Sequence, residues 1–189
     1  MRADARRNRE RLLAAAVELA LEIGGEPSRD AIAQRAGVGI GTLYRHFPDQ
    51  QALLRAVVVD VLDRTITAGE VALAEAAGDG TALRRYLHAA IDNGVGVVNI
   101  IHPLLDDTDW PDLTERAAKM TRRLLHHARE ASTVGPAFTE ADITYTSIRF
   151  ARPLAIGLDS DTESKLAHRQ LDLYLDGAEA AATSTTHSG

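Results

Sequence analysis

The chain has 189 residues, a formal net charge of −6 at pH 7 and no cysteine. Its content of 45% hydrophobic and 25% charged residues is typical of folded globular proteins, which excludes a disordered polyelectrolyte. The lack of cysteine excludes a disulfide framework and a thiolate metal site. No segment reaches the roughly 18 uninterrupted apolar residues of a membrane span, so we expect a cytoplasmic protein that does not engage a membrane.

The charge is distributed unevenly along the chain. Residues 1–55 carry nine arginines against seven acidic residues, a net charge of +2, whereas residues 56–189 carry twelve basic against twenty acidic residues, a net charge of −8. Arginines concentrated in the first eleven residues could neutralise DNA phosphates, or could simply form the solvated start of a helix. They are Arg2, Arg6, Arg7, Arg9 and Arg11.

Three helices are predicted in the first 50 residues. Residues 6–23 carry an apolar stripe at helical spacing. Ser28 is a good N-cap for a second helix, and Gly37 can adopt the left-handed conformation that ends it. A third, short helix runs from about Ile40 to His46. Two short helices joined at a glycine are a helix-turn-helix layout, which suits binding in the DNA major groove.

Helical periodicity continues through the rest of the chain, and no run has the period of a strand. Pro48 and Asp49 open a long helix that extends to about residue 77. Thr81 caps the next helix, which is expected to bend or to end between residues 93 and 96, where two glycines lower the helix propensity. A short apolar element covers 97–105, and a further helix runs from Asp109 and Pro111 to about residue 131. The last two helices cover 139–157 and 162–181.

Local sequence signals fix some details of these last helices. Thr139 and Asp142 form a capping box at the start of the first, and Pro153 should kink it because proline removes an intrahelical hydrogen bond. The tail 182–189 has no apolar periodicity and is predicted to be disordered.

The segment AGVGIGTLYRHFPD, with Leu43 and Phe47 as core anchors and Tyr44 and His46 on the opposite side, resembles the recognition helix of the TetR family of bacterial repressors. The resemblance covers residues 6–56. It implies an all-α fold of about nine helices, with a three-helix DNA-binding domain at 1–50 and a ligand-binding and dimerisation bundle at 51–181. It further implies a homodimer that binds a palindromic double-stranded DNA operator and is released by a small-molecule effector.

The predicted DNA-binding residues have different roles. Gly39 and Gly41 let the backbone approach the duplex, Ile40 suits a thymine methyl, Thr42 can bond a base edge or a phosphate, and Arg45 can bond a guanine bidentately. Tyr44 and His46 match family positions that contact phosphate. Where family members often carry cations near positions 40 and 50, this chain has Gly39, Ile40 and Gln50. This predicts weaker phosphate anchoring unless the arginine-rich N-terminus compensates. The full set is Ser28, Gly39, Ile40, Gly41, Thr42, Tyr44, Arg45 and His46.

Polar and aromatic groups that would converge if the C-terminal helices pack as in the family are the predicted effector-binding residues. Arg149 and Arg152 flank Phe150, and they either pair with acids across a dimer seam or line a pocket for an anionic ligand. The predicted effector set is His88, Asn93, Asn99, His102, Trp110, Tyr145 and Arg149.

Other chemistry is not predicted. The sequence GVGIG follows a helix, whereas a dinucleotide-binding loop follows a strand. Pro103 interrupts the helix that would align His102 with Asp106, so we predict no metal site. No nucleophile elbow is visible, so we predict neither an enzyme nor a cofactor. The rival interpretation is a helical ligand carrier or small enzyme with an inactive helix-turn-helix head.

Overall fold

The regular structure consists of nine α-helices and one short 3-10 helix in the residues that the computed structural model describes, which are 2–76, 78–154 and 157–186. The all-α prediction is confirmed. The helices are α1 (Arg2–Ile23), α2 (Arg29–Ala36), α3 (Ile40–His46), α4 (Gln50–Glu75), α5 (Thr81–Asp92), α6 (Gly96–Ile101), α7 (Pro111–Glu130), α8 (Glu140–Phe150) and α9 (Ser160–Thr186), with the 3-10 helix at His102–Leu104. None of these helices is long and apolar enough to cross a membrane.

The turn between α2 and α3 forms as its sequence predicts. The Ser28 side chain accepts a hydrogen bond from the Ala31 amide at 3.2 Å, which caps α2. Gly37 ends α2 with φ of 63°, a left-handed conformation that glycine adopts without steric cost. Leu43 is buried on the inner side of α3. In the head, which consists of α1, α2 and α3, the angle between the two short helices is therefore fixed.

The long helix α4 belongs to two hydrophobic cores. Its first half packs with α1, α2 and α3, and this head core also receives Val97 and Ile101 from α6. Its second half contributes Ile66 and Ala72 to a second core shared with α5, α7, α8 and α9. The Thr65 hydroxyl, which donates to the Val61 carbonyl at 2.7 Å, lies between the two halves. A displacement of α4 therefore affects both cores. The α4 residues in the head core are Leu53, Leu54, Val57, Val58 and Val61.

The C-terminal helix boundaries differ from the prediction. Helix α8 ends at Phe150, so Pro153 lies beyond the helix and does not kink it. Helix α9 continues through Gly177 to Thr186, so the predicted disorder of 182–189 is wrong for 182–186, while 187–189 lie outside the described residues. The alanine-rich residues 178–182 that lead into this stretch have high helix propensity, and Ala182 is buried near Gly135.

Two helix starts also differ in detail. Gly80 occupies the N-cap of α5, so Thr81 is its first residue, and the Asp79 carboxylate accepts from the Thr81 amide at 3.0 Å. Trp110 occupies the N-cap of α7, and Pro111 follows as the first helical residue. In both cases the helix begins within one or two residues of the predicted position. The capping box of Thr139 and Asp142 is present at α8.

Candidate nucleic-acid interface

Helix α3 presents one side to the core and the other to solvent. Leu43 is 0% exposed and Phe47 is buried, so they fix the rotation of the helix. Tyr44 is 50% exposed, Arg45 is exposed, and Thr42 and His46 are half-buried. The predicted DNA-binding side chains of α3 therefore lie on or at the edge of its solvent-exposed side, and Ser28 is exposed at the N-cap of α2.

Packing among the described residues does not require the two glycines of this surface. A Cβ atom added at Gly39 or Gly41 would meet none of their atoms within 4 Å. Ile40, which lies between them, is 36% exposed. Gly39 is the N-cap of α3 with extended backbone angles and no side-chain cap. The start of α3 is thus a smooth, open surface with one apolar side chain.

Tyr44 belongs to a contact network that joins α2, α3 and α4. The Arg29 guanidinium carbon lies 5.1 Å from the centroid of the Tyr44 ring. Arg29 Nε donates to Gln50 Oε1 at 3.1 Å, and Gln50 Nε2 donates to the Pro27 carbonyl at 3.5 Å. Arg45 instead folds back along its own helix, with Nε donating to the Gly41 carbonyl at 3.1 Å. Sequence periodicity did not identify Arg29, because its partners are distant in the chain.

Several arginines of the head are paired with carboxylates away from α3. Arg35 bonds Glu22 through NH1 at 2.8 Å and NH2 at 2.9 Å, and this hydrogen bonding lowers the pKa of Glu22. Near the N-terminus Arg6 lies 3.5 Å from Glu10, and Arg7 bonds Asp4. Such exposed pairs contribute little to stability. The carboxylates that pair with Arg6 and Arg7 do compensate part of the positive charge of α1.

The predicted effector-binding residues are dispersed. His88 bonds two residues of α9, with 3.0 Å to Asp172 Oδ1 and 2.6 Å to His168 Nδ1. Burial opposes ionisation of Asp172, but hydrogen bonds from His88 and Arg84 outweigh it and lower the pKa of that carboxyl. In the pair of His88 and His168, one Nδ1 donates a hydrogen bond and the other accepts it, so each of these two nitrogens already has a partner. His88 therefore joins α5 to α9 in this structure.

The other members of that set lie in separate places. Asn93 lines an open groove of about 620 Å³ between α4 and α5, together with Ala68, Val71 and Ala89. His102 and Trp110 contact each other edge to face at 6.2 Å between ring centroids. Four members are exposed, namely Asn99, His102, Tyr145 and Arg149. The seven side chains are thus not gathered in one cavity, and their assignment stays a prediction.

Hydrogen bonds and a cation–π contact connect the segment before α7 to the start of α4. Arg55 NH1 donates to Asp107 Oδ2 at 2.6 Å, and its guanidinium lies 5.8 Å from the Trp110 ring centroid. Gln51 Nε2 donates to the Leu104 carbonyl at 2.9 Å. The sequence indicated neither contact. Both join the first turns of α4 to the segment that precedes α7.

Comparisons with known proteins agree with this architecture. The family model described as bacterial regulatory proteins, tetR family, matches residues 12–57. Two HTH-type transcriptional regulators, from Staphylococcus aureus strains USA300 and NCTC 8325, are each 46% identical over 68 residues, which are 35% of this chain. The match spans only 37% of the length of these curated relatives.

Solved structures match over nearly the whole chain. A TetR transcription regulatory protein from Mycobacterium vanbaalenii is 31% identical with a TM-score of 0.65, covering 94% of this chain and 98% of that one. A TetR transcriptional regulator from Streptomyces coelicolor is 28% identical with a TM-score of 0.65, covering 90% and 97%. The TetR-like regulator LfrR from Mycobacterium smegmatis, in complex with proflavine, shares the fold at 24% identity, with a TM-score of 0.61 and coverage of 88% and 95%. From its helix-turn-helix head, its all-α architecture and its near full-length similarity to these proteins, the chain belongs to the TetR family of DNA-binding transcriptional regulators.

Proposed function

We propose that this protein is a homodimeric repressor that binds a palindromic operator through α3 and releases it when a small-molecule effector binds the C-terminal bundle. The exposed side of α3 carries the proposal. It combines a glycine-rich start, one apolar side chain and one arginine, which suit close approach, a thymine methyl and a guanine edge.

The roles on DNA divide between reading and anchoring. Ile40 and Arg45 read base edges in the major groove, while Tyr44 and His46 bind phosphate and fix the orientation of α3. Ser28 and Thr42 support the same contact surface from α2 and α3. Because Arg45 Nε bonds its own helix backbone and has no other acceptor in the described part of the chain, the side chain can extend toward a base at little cost.

Dimerisation uses α8 and α9. These helices expose large apolar side chains that a monomer leaves in water, including Tyr145 at 70% and Leu173 at 63% exposure. Arg149 and Arg152 have no carboxylate partner among the described residues, so they are available to acids of a second copy. A two-fold symmetric seam would place two heads for the two halves of a palindrome.

Effector binding acts through α4. The groove of about 620 Å³ lies along the second half of this helix, and the first half lies in the head core. A ligand that moves α4 changes the separation of the two heads, and a coupling free energy of about 1–3 kcal/mol would reduce operator affinity 5- to 150-fold. The proflavine complex of LfrR supports a small ligand in this fold.

Footprinting on the DNA adjoining the protein's own gene tests the proposal. We expect protection of two half-sites with centres about 34 Å apart or at a multiple of that distance. Arg45→Ala should relax the sequence preference at one base position, whereas Arg123→Ala, which removes the same charge from an exposed position on α7, should leave the preference unchanged. A folded protein that protects no sequence, and that converts a bound small molecule, would favour the carrier or enzyme interpretation.

A further inference from the structure

The first residue of α2 lies where three helices of the head meet. Arg29 is half-buried, and its side chain contacts the Tyr44 ring of α3 and the Gln50 amide of α4. Gln50 in turn bonds the Pro27 carbonyl, so the amide is held from both ends. A long flexible side chain is thereby restricted to one place beside the half-exposed Tyr44 ring.

The charge of this guanidinium is not compensated. Only Nε of Arg29 has a hydrogen-bond acceptor in the described part of the chain, and no carboxylate lies within ion-pair distance of it there. On the same helix, Arg35 is bonded by two glutamates of α1. Arg29, unlike Arg35, therefore has its charge and its terminal N–H donors available for a ligand.

The ligand that fits such a group is a phosphate. A planar guanidinium can donate two parallel hydrogen bonds to phosphate oxygens, and a group already held in place loses less entropy on binding. The neighbouring side of α3 is the surface that we propose to face DNA. The backbone of the same DNA molecule would therefore supply the phosphate.

We propose that Arg29 binds a DNA phosphate, and that the Tyr44 ring and the Gln50 amide are the positioning groups that hold its guanidinium for this contact. The inference rests on the proposed DNA binding. The competing interpretation is that Arg29 only fastens α2 to α3 and α4. The two differ in the salt dependence of binding, because only a phosphate contact releases a counterion.

The test measures the affinity of the full chain for a mixed-sequence duplex of about 30 base pairs and for the footprinted DNA over a series of salt concentrations. We expect Arg29→Ala to weaken binding to both duplexes by about tenfold or more per contact and to reduce the slope of log affinity against log salt by about 0.9 per bound protomer. Arg29→Lys should keep the slope, because it keeps the charge.

Two further variants separate positioning from general effects. Gln50→Ala should lower the affinity a few-fold without changing the slope, because the cation remains but is less ordered. Arg35→Ala is the matched control, which removes the same charge from the other end of α2 and should leave the slope unchanged. Circular dichroism melting establishes that each variant is folded.

The outcomes distinguish the inference from the proposed function. Wild-type binding with an unchanged slope in folded Arg29→Ala would overturn the phosphate contact alone and leave DNA binding intact. An equal loss of slope in Arg35→Ala would also overturn it, since any head arginine would then act alike. A wild-type protein that binds neither duplex would overturn the inference and the proposed function together.

Discussion

Replacing Gly96 with alanine should push α6 away from the end of α8. A Cβ atom at this position would lie 2.2 Å from the carbonyl oxygen of Ala151 and 2.9 Å from the Arg152 amide nitrogen. Both neighbours are backbone atoms, which cannot rotate aside as a flexible side chain would. To restore ordinary contact, α6 and the end of α8 must separate by roughly 1 Å.

The expected cost follows from the packing around the glycine. Gly96, Val97 and Ala151 are buried, so the shift disturbs a close-packed part of the head core. Overpacking of this kind typically destabilises a protein by about 1–3 kcal/mol. For a chain of this size, each kcal/mol corresponds to a fall in melting temperature of about 2–4 °C.

Urea unfolding at a fixed protein concentration measures the effect, because dimerisation makes stability depend on concentration. Gly25→Ala is the control: a Cβ atom there meets nothing within 4 Å, so its change should stay within about 0.5 kcal/mol. If both variants unfold at the same urea concentration as the wild type, the close approach of α6 to α8 does not constrain the fold.

Tyr44→Phe should weaken binding to all DNA sequences about equally, whereas Arg45→Ala should relax the preference at one base position by roughly 1–3 kcal/mol. Titrations on mutated operators measure both effects, and wild-type affinity in both variants would refute the assignment of α3 to the DNA interface. Light scattering should report about twice the 20.4 kDa chain mass, and Leu173→Glu should give monomers, while a monomeric wild type would refute the seam. Hydrogen bonds from Thr139 lower the pKa of Asp142 below its usual 3.8, so the resulting stability is present above pH 3.8 and is lost as the pH falls through the lowered native value. In urea unfolding, Asp142→Asn should lose less unfolding free energy than the wild type as the pH falls through this range. If the two proteins show the same dependence of unfolding free energy on pH, the prediction is contradicted.

Features set by neighbouring residues could be predicted from the sequence. The Ser28 cap, the left-handed Gly37 and the capping box of Thr139 and Asp142 each depend on atoms a few residues apart, and all three are present. The exposed side of α3 also follows from local periodicity, since burying Leu43 and Phe47 leaves Tyr44 outside.

Features set by distant contacts could not be predicted. Helix α9 extends past its expected end where Ala182 packs near Gly135, and the sequence alone does not place these two together. Arg29 contacts Gln50 across 21 positions, and His88 contacts His168 across 80. Hydrogen bonds at such separations have no signature in the spacing of residues, so the network beside Tyr44 and the joint between α5 and α9 emerged only from the fold.

The sharing of α4 between two cores limits how this regulator can be recombined with its relatives. A chimaera joined at residue 50 would separate α1, α2 and α3 from Leu53, Val57 and Val61, the side chains against which they pack. The transplanted head would meet a foreign α4 surface and a foreign α6. A functional exchange of operator specificity would therefore have to carry the first three turns of α4 with the head, and to match Val97 and Ile101 in the recipient.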